Sequence, residues 1–548
     1  MPIAQTRLLK SVVSREDEAR AEVARHFDAA EQKSLLRFIT CGSVDDGKST
    51  LIGRLLHDCH ALFDDQVATL AKSEVGVPDF ASLVDGLAAE REQGITIDVA
   101  YRFFATERRK FIVADTPGHE QYTRNMVTGA STADLAVILI DARKGLLPQS
   151  RRHSKIVHLL GTRELVLAVN KMDLIGHDEA RFNAIVEDFR SFADSIGIER
   201  FTAIPVSGLS GENIVRRSEA MSWYGGATLL DHLETVPVVD RPLDAPLRMA
   251  VQWVNRPHQD FRGYSGRIAS GQVVPGQTVA VLPGGRRATI ERIVTYDGDL
   301  DVAVAGQSVT LVLDQAIDCS RGDLIVAADI PHEGPASALD ATLIWMADEP
   351  LAPGRSYWLK TGTQLLTARV SGPPTSATLG LNDIGDVRIA LDRGIPRISY
   401  AKSRTLGGFI LIDKFTNATI AAGLVRSFPD TTNAGPARDL GGVIEWVAPA
   451  WAGSHAWAAM RVARLRARGR PAVLLDEPSL RQGLAVDLPP TAAGQSELVR
   501  RAREIARLMC DAGIHVIVAI GATPDEAHPG HRIDHEPEEE WQAVEWII

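Results

Sequence analysis

Residues 42–49 combine the glycines, lysine and hydroxyl that a phosphate-binding loop requires. They read Gly-Ser-Val-Asp-Asp-Gly-Lys-Ser and fit the pattern G-x-x-x-x-G-K-[ST], between a predicted strand and a predicted helix. The glycines let backbone N–H groups surround phosphate oxygens at a helix N-terminus. Lys48 would reach the β- and γ-phosphates, and the Ser49 hydroxyl would coordinate Mg²⁺. Such a match arises by chance in roughly one or two of a hundred chains of this length, so we predict a nucleoside triphosphate site.

A second segment, Asp115-Thr-Pro-Gly118-His119, directly follows the apolar run 111–114. Because that run is predicted to be a strand, Asp115 would lie at the carboxyl end of the strand. From there its carboxylate can hold Mg²⁺ through water, while the N–H of Gly118 faces the γ-phosphate. The segment therefore predicts the metal side of the same site.

A third segment, Asn170-Lys171-Met172-Asp173, follows the apolar run 165–169 and indicates which base of the nucleotide is bound. One carboxylate, that of Asp173, can accept both the N1–H and the exocyclic amine of guanine, which adenine does not offer. Asn170 would lie near N7 and the stem of Lys171 against the ring. A backbone N–H of Ser207-Gly208-Leu209, after another predicted strand, would reach the guanine oxygen O6. Three segments in this order, each at a strand end, predict GTP as the ligand.

Two single residues each admit a functional and an ordinary interpretation. Thr96, in the segment Glu90-Arg-Glu-Gln-Gly-Ile-Thr96, is either an ordinary loop threonine or a residue that closes over Mg²⁺. Its position between the phosphate loop and Asp115, where the switch loop of a GTPase lies, favours the metal. His119 either satisfies local backbone groups or orients the attacking water. Its position directly after Gly118 favours the water.

The predicted cofactors are thus GTP and Mg²⁺, and the predicted catalytic residue is His119. The residues predicted to bind GTP are Gly42, Ser43, Val44, Asp45, Asp46, Gly47, Lys48, Ser49, Asp115, Thr116, Pro117, Gly118, His119, Asn170, Lys171, Met172, Asp173, Ser207, Gly208 and Leu209. The residues predicted to hold the metal are Ser49, Thr96 and Asp115.

The elements that must position these residues follow from the hydrophobic pattern. Short runs rich in Val, Ile and Leu alternate with helix-length amphipathic sequence up to residue 235, which predicts β-α units and a mainly parallel sheet. After a Pro-rich linker at 236–246, glycines punctuate short alternating runs, which is typical of small antiparallel barrels. In the last segment we predict strands at 472–475 and 515–519 and helices at 455–469 and 495–512.

The predicted fold is therefore multidomain: an α/β P-loop GTPase domain, two β-barrel domains and a C-terminal α/β domain. We place a helical N-terminal extension at 1–34, the GTPase domain at 35–240, the barrels at 245–330 and 340–428, and the last domain at 440–548.

The composition and net charge of the chain limit its possible partners and its cellular compartment. The chain has 548 residues, a formal net charge of −11 and four widely spaced cysteines without a C-x-x-C pair. The charge makes a broad nucleic-acid footprint unexpected, and the cysteines fit a reducing compartment. With neither a signal-peptide pattern nor an apolar run long enough for a membrane span, a cytoplasmic location is expected.

These motifs resemble the translational GTPase superfamily. The match is closer to the large, GTPase subunit of bacterial sulfate adenylyltransferase, through GSVDDGKSTLIGRLLHD, LVDGLAAEREQGITIDVAYRFF, ADTPGHEQYTRNMVTGASTADLAVILIDARKG and VQWVNRPHQDFRGYSGRIASG. The resemblance covers roughly residues 30–427, with a shortened stretch near 367–383. It implies a smaller partner subunit that transfers the adenylyl group, where GTP hydrolysis drives formation of adenosine 5′-phosphosulfate from ATP and sulfate. It also implies an apolar gate, Val44 and Ile95, beside the attacking water.

The last segment resembles adenylylsulfate kinase, through EWVAPAWAGSHAWAAMRVA, VLLDEPSLRQGLAVDL and ARLMCDAGIHVIVA. In that family's phosphate loop, His455 replaces the lysine and Ala456 replaces the magnesium-binding hydroxyl. The D-G-D-N motif becomes Asp-Glu-Pro-Ser at 476–479, and the segment is shorter than a whole kinase domain. We therefore expect a degenerate domain that folds without binding ATP. The remaining residues of the motif still fit: Arg481, Gly483, Leu484, Asp487 and Leu488.

Two other functions remain open. A translation-factor-type GTPase acting on tRNA or a release factor would share the GTPase core and barrels. A bifunctional protein with a live kinase domain would share the last segment. The stretches VDDGKST and QWVNRPHQDFRGYSG favour sulfate activation over the translation factor, and the altered phosphate loop argues against the live kinase.

Overall fold

The structure is a computed structural model, and it describes most of the chain between residues 33 and 533. The described residues are 33–62, 79–84, 90, 92, 95–237, 245–259, 261–329, 334–352, 354–371, 378–429, 443–447, 454–467, 471–511, 513–521 and 531–533. The helix predicted within 1–34, the kinase-like loop residues 449–453 and the acidic tail at 534–545 lie outside them. Two units divide the chain, Met1–Asp240 and Arg241–Ile548.

A six-stranded sheet forms the centre of the first unit. Its strand order is β2-β3-β1-β4-β5-β6, and all neighbours are parallel except β2, which runs antiparallel to β3. The strands are β1 (Leu35–Cys41), β2 (Ala100–Ala105), β3 (Lys110–Asp115), β4 (Leu135–Asp141), β5 (Glu164–Asn170) and β6 (Thr202–Pro205). The parallel strands confirm the predicted β-α alternation. The edge strand β2 was not predicted, because only Phe104 of its six residues is buried.

Helices cover this sheet and supply the other walls of the core. They are α1 (Lys48–Asp58), α2 (Thr123–Ala130), α3 (Pro148–Leu159), α4 (Glu179–Ser195) and α5 (Leu229–Thr235), with 3₁₀ turns at Ala81–Leu83, Glu120–Tyr122 and Met172–Ile175. Every residue of β4 is buried, as expected for a central parallel strand. From β1 the chain continues to β3 on one side and then to β4 on the other. The carboxyl end of β1 is thus the switch point where ligands bind in open α/β sheets.

The second unit begins with a closed barrel, here the first barrel. Its ring runs β11-β16-β7-β9-β15-β12 and closes through pairing of β12 with β11. The strands are β7 (Arg248–Ala250), β8 (Trp253–Asn255), β9 (Gly263–Ser270), β10 (Gln272–Val273), β11 (Thr278–Leu282), β12 (Arg286–Thr295), β13 (Gly298–Asp299), β14 (Ala303–Val304), β15 (Ser308–Leu313) and β16 (Leu324–Ala327). The closed ring confirms the predicted small antiparallel barrel.

A second closed barrel follows, with ring order β17-β20-β19-β18-β21-β22. Its strands are β17 (Ala336–Trp345), β18 (Ser356–Thr361), β19 (Gln364–Ser371), β20 (Ile384–Ile395), β21 (Gly408–Ile412) and β22 (Thr419–Ser427). Strand β17 begins at Ala336, before residue 340, where we placed the start of this barrel. The barrel closes in spite of the shortened stretch near 367–383, of which residues 372–377 lie outside the described part.

Specific contacts tie the two barrels together. The Gln364 side chain donates from Nε2 to the carbonyl of Gly322 at 2.7 Å, and Thr363 Oγ1 donates to the carbonyl of Val251 at 3.1 Å. Gly322 has φ +100, and a Cβ there would lie 2.7 Å from Cγ of Gln364. Apolar side chains add to the contact, namely Ala280, Leu324, Val326 and Ala328 of the first barrel with Ile398 and Leu406.

The last part of the chain forms a parallel four-stranded sheet of order β24-β25-β23-β26. Its elements are β23 (Ile444–Val447), α6 (Ser454–Ala467), β24 (Ala472–Asp476), α7 (Glu477–Gln482), α8 (Ala492–Asp511), β25 (His515–Ala519) and β26 (His531–Ile533). The predicted helices and strands are confirmed to within a few residues, whereas the short strands β23 and β26 were not predicted. The α/β domain, two barrels and second α/β domain confirm the predicted fold class. None of the helices in the described part combines the length and apolar character that a membrane crossing requires.

Candidate nucleotide-binding site

The phosphate-loop residues connect β1 to α1 through two strained glycine positions. Gly42 has φ +149 and Gly47 has φ +87, backbone conformations that L side chains rarely adopt. A Cβ on Gly42 would lie 2.7 Å from the carbonyl oxygen of Leu139. Lys48 is the first residue of α1, where helix N–H groups lack intrahelical partners. The glycines of the motif are therefore required by the turn that the chain makes here.

Lys48 is buried within its own loop. Its Nζ donates to the carbonyl oxygen of Ser43 at 2.8 Å, and the residue is 6% exposed. Burial lowers the pKa of Lys48, and the nearby Asp115 carboxylate opposes that effect. Gly118 lies directly against the loop, since a Cβ there would be 2.6 Å from Lys48 Nζ. The structure thus brings the first two predicted segments together.

The three residues predicted to hold the metal converge. Ser49 Oγ donates to Asp115 Oδ2 at 2.6 Å and lies 3.2 Å from Thr96 Oγ1. Asp115 is fully buried, and its other carboxylate oxygen accepts from Thr40 Oγ1 at 3.0 Å. Burial raises the pKa of Asp115, and the Ser49 hydrogen bond opposes that rise. Hydroxyl and carboxylate oxygens are the ligands that Mg²⁺ prefers, so the cluster fits a divalent cation.

A cavity of about 500 Å³ adjoins these residues, a size within the range of ligand pockets. Its walls include four cationic side chains, which suits an anionic ligand, and the two predicted gate residues, Val44 and Ile95. The full lining is Val44, Asp45, Gly47, Lys48, Ser49, Thr50, Ala81, Ile95, Thr96, Gly118, His119, Arg143, Lys144 and Lys171.

His119 combines the two interpretations that its sequence position admits. Its Nδ1 accepts the N–H of Gln121 at 3.3 Å and so caps the turn Glu120–Tyr122. The ring centroid lies 6.0 Å from that of Tyr122. The side chain is half-buried and also lines the cavity. One ring nitrogen therefore satisfies local backbone while the residue remains next to Gly118.

The segment predicted to read the base is tied to the phosphate loop. Asn170 is 2% exposed, and its Nδ2 donates to the carbonyl of Asp46 at 2.8 Å. Its Oδ1 accepts the N–H of Gly208 at 2.9 Å. Lys171 has φ +64 and donates from Nζ to the carbonyl of Asp45. The three predicted segments therefore form one connected structure.

The three remaining residues predicted to contact the base lie beside these. Asp173 is half-buried in the turn Met172–Ile175, two residues from the cavity-lining Lys171, and is not itself part of the cavity lining. Ser207 is fully buried, and its Oγ accepts the N–H of Ser210 at 3.2 Å. The carbonyl of Leu209 accepts from Arg54 Nη1 at 2.9 Å, while its side chain is exposed.

Sequence reasoning missed an acidic residue that organises one wall of the site. Asp141 is fully buried and accepts two hydrogen bonds from the Arg143 side chain, at 3.0 and 2.6 Å, and one from the Arg143 backbone N–H at 2.9 Å. It also pairs with Lys171 at 3.2 Å. Burial by itself raises the pKa of Asp141, but the bonds from Arg143 and Lys171 outweigh it and hold the pKa well below its ordinary value. The signal was present, because Asp141 ends an apolar strand as Asp115 does.

Two residues of α3 support the phosphate loop from behind and were also missed. His153 Nδ1 accepts the N–H of Gly42 at 3.2 Å, and Ser150 Oγ lies 3.2 Å from Ser43 Oγ. Both α3 side chains are fully buried. Burial lowers the pKa of His153 to about 3, so the ring is neutral and able to accept at neutral pH. Nothing in the local sequence distinguishes His153 from an ordinary core histidine.

In the C-terminal domain the histidine that replaces the phosphate-loop lysine contacts the retained first aspartate of the altered D-G-D-N motif. His455 Nε2 lies 2.7 Å from Asp476 Oδ2. Burial raises the pKa of Asp476, but hydrogen bonds from Ser479 and His455 outweigh it and hold the pKa below its ordinary value. Trp457, one turn into the helix region, is packed in the core with Val447.

Three protein families match consecutive parts of the chain. The Elongation factor Tu GTP binding domain family matches residues 33–241, which contain every residue of the candidate site. The GTP-eEF1A C-terminal domain-like family matches residues 338–426. The Adenylylsulphate kinase family matches residues 442–540.

Curated proteins resemble the chain over most of its length. Bifunctional enzyme NodQ of a Rhizobium species is 47% identical over 535 residues, which cover 91% of this chain and 82% of that protein. Bifunctional enzyme CysN/CysC of Xylella fastidiosa is 47% identical over 528 residues, covering 91% and 85%. Sulfate adenylyltransferase subunit 1 of Methylorubrum extorquens is 54% identical over 424 residues, covering 74% and 90%. The chain therefore belongs to the family of sulfate adenylyltransferase subunit 1 and its fusions with an adenylylsulphate kinase domain.

Proposed function

We propose that the chain binds and hydrolyses GTP and uses the hydrolysis to drive formation of adenosine 5′-phosphosulfate from ATP and sulfate. The adenylyl transfer would take place on a smaller partner subunit, in the cytoplasm. The observation that carries the GTPase assignment is that Lys48, Ser49 and Thr96 line one cationic cavity, with Asp115 bonded to Ser49 directly behind it. The partner is supported by a relative that is named subunit 1 of sulfate adenylyltransferase.

The charges of the site support a Mg²⁺–triphosphate ligand. Burial disfavours the charged forms of both Lys48 and Asp115. Phosphate oxygens would stabilise the ammonium of Lys48, and a cation held with Ser49 and Thr96 would stabilise the carboxylate of Asp115. The Mg²⁺ ion, when bound, supplies charge neutralisation for the phosphoryl oxygens.

His119 is assigned the orientation of the attacking water rather than its deprotonation. Because Nδ1 accepts the N–H of Gln121, the neutral ring carries its proton on Nε2. That nitrogen is then a donor, which can hold a water oxygen beside Gly118 but cannot take its proton. Val44 and Ile95 line the same cavity and would limit access of other water.

Guanine recognition is assigned to Asp173, with Asn170, Lys171 and the segment 207–209 around it. The hydrogen bonds from Asn170 to Asp46 and from Gly208 to Asn170 support this assignment, because they fix the base-reading loops relative to the phosphate loop. The distance between the base-binding and phosphate-binding parts of the site is then fixed by the protein before the nucleotide binds.

For the C-terminal domain we propose a folded remnant without kinase activity, retained as a docking or scaffolding surface. The contact between His455 and Asp476 supports it, because each polar group satisfies the other where the kinase pattern has a lysine and an acidic motif. The alternative is a live kinase. It is favoured by the family match over residues 442–540 and by relatives named bifunctional enzymes.

Asp173→Asn should exchange guanine for xanthine, because an amide can donate to a ring carbonyl where the carboxylate needed two donors. GTP affinity should fall by about a hundredfold or more, the size expected for losing charge-assisted hydrogen bonds, and xanthosine triphosphate should bind. Titration with fluorescent nucleotides measures both. Equal affinity of wild type and variant for GTP would disprove the assignment of the base.

His119→Ala should leave GTP affinity nearly unchanged and slow hydrolysis by about a hundredfold or more, as loss of a water-orienting group does. Single-turnover hydrolysis of bound GTP measures the chemical step directly. His158→Ala, a half-buried histidine on α3, is the matched control and should hydrolyse GTP at the wild-type rate. Wild-type hydrolysis in the His119 variant would mean that the residue is structural.

The full-length chain should transfer no phosphate to adenosine 5′-phosphosulfate. The imidazole of His455 is shorter than a lysine side chain and is already in contact with Asp476, and Ala456 cannot ligate a metal. Incubation with γ-labelled ATP, Mg²⁺ and adenosine 5′-phosphosulfate should therefore give no label at the 3′ position. Label at that position would establish the live kinase instead.

A further inference from the structure

The backbone just after Thr96 is held from two sides by buried or partly buried side chains. Glu90 Oε1 accepts the N–H of Ile97 at 2.9 Å and that of Asp98 at 3.2 Å. From the other side, Asn125 Nδ2 donates to the carbonyl of Ile97 at 2.8 Å. Both polar groups of Ile97 are therefore fixed by side chains rather than by a neighbouring strand. We call Glu90 and Asn125 the Ile97 clamp.

The burial of Glu90 makes this arrangement energetically significant. Glu90 is 2% exposed, and a carboxylate taken out of water is strongly destabilising unless hydrogen bonds replace its hydration. Two consecutive backbone N–H groups, those of Ile97 and Asp98, donate to one of its oxygens and replace part of that hydration. The loop therefore has a strong preference for the one conformation in which these N–H groups face Glu90.

That conformation determines where Thr96 lies. Thr96 immediately precedes the clamped residue, and its Oγ1 is 3.2 Å from Ser49 Oγ in the candidate metal cluster. Beyond the clamp, β2 begins at Ala100, which is paired with Asp115 of the same cluster. The clamp thus occupies the short stretch that separates two fixed points, and it sets the conformation of the chain between them.

The clamp also connects the two segments on either side of the cavity. Asn125 belongs to α2, which starts at Thr123, directly after the turn that His119 caps. A displacement of α2 would move the amide away from the carbonyl of Ile97. Thr96 and His119 therefore belong to one hydrogen-bonded unit, although they are separated by more than twenty residues.

We propose that Glu90 and Asn125 are positioning residues which hold Thr96 at the metal and keep it in step with His119, so that they favour bound GTP over bound GDP. This inference rests on the proposed GTPase function. The physical basis is differential: a ligand shifts a conformational equilibrium only by its unequal affinity for the two states. Thr96 is assigned to the metal that accompanies the γ-phosphate, so the clamped state is preferred by GTP.

The test uses the full-length chain with Glu90→Gln and Asn125→Ala. Glutamine keeps an acceptor oxygen but removes the charge, and alanine removes the donor to Ile97. Each variant should slow GTP hydrolysis by about tenfold, the size of one weakened charge-assisted or buried hydrogen bond. Each should raise several-fold the Mg²⁺ concentration needed for half-maximal binding of a non-hydrolysable GTP analogue, and neither should change the affinity for GDP.

Glu92→Gln is the matched control, because Glu92 lies two residues from Glu90 in the same segment and is exposed. It should behave as the wild type in all three measurements. The inference is overturned if Glu90→Gln and Asn125→Ala match this control, or if they weaken GTP and GDP equally, which would indicate a general folding role. A wild-type chain that binds no GTP would instead refute the proposed function on which the inference rests.

Discussion

The hydrogen bond between Ser49 and Asp115 joins the first turn of α1 to the carboxyl end of β3, and the candidate site is arranged around it. Asp115 is a fully buried carboxylate, so it depends on the hydroxyls of Thr40 and Ser49 for solvation that water would otherwise give. Those two hydroxyls fix the positions of β1, α1 and β3 relative to one another. Lys48, Thr96 and Gly118 are positioned around these three elements.

The residues predicted from the sequence were those for which a local pattern and a chemical requirement coincide. Runs of Val, Ile and Leu marked β3, β4 and β5, and Asp115 and Asn170 fall at the ends of such runs. The phosphate loop was found because its glycines, lysine and serine have fixed spacing. In each case the residue types indicated the chemical role, and the position at the end of a strand indicated where in the fold the residue lies.

Residues whose role depends on a distant partner were not predicted. His153 meets Gly42 across 111 positions of sequence, and Asn125 meets Ile97 across 28. Neither pairing has a local signature, because a buried histidine or a half-buried asparagine resembles any other polar residue on a helix. The edge strand β2 was missed because only one of its six residues is buried, and β23 and β26 were missed because strands of four and three residues are too short to show a periodic pattern. Contacts between residues far apart in the sequence were therefore the part that could not be predicted.

The contacts between the two barrels have a mechanical consequence. Each barrel is a closed ring, and the contact between them combines two hydrogen bonds to backbone carbonyls with an apolar patch. Gly322 leaves no room for a side chain between them. A rotation of one barrel would therefore carry the other barrel with it, because these contacts leave little freedom of movement between the two.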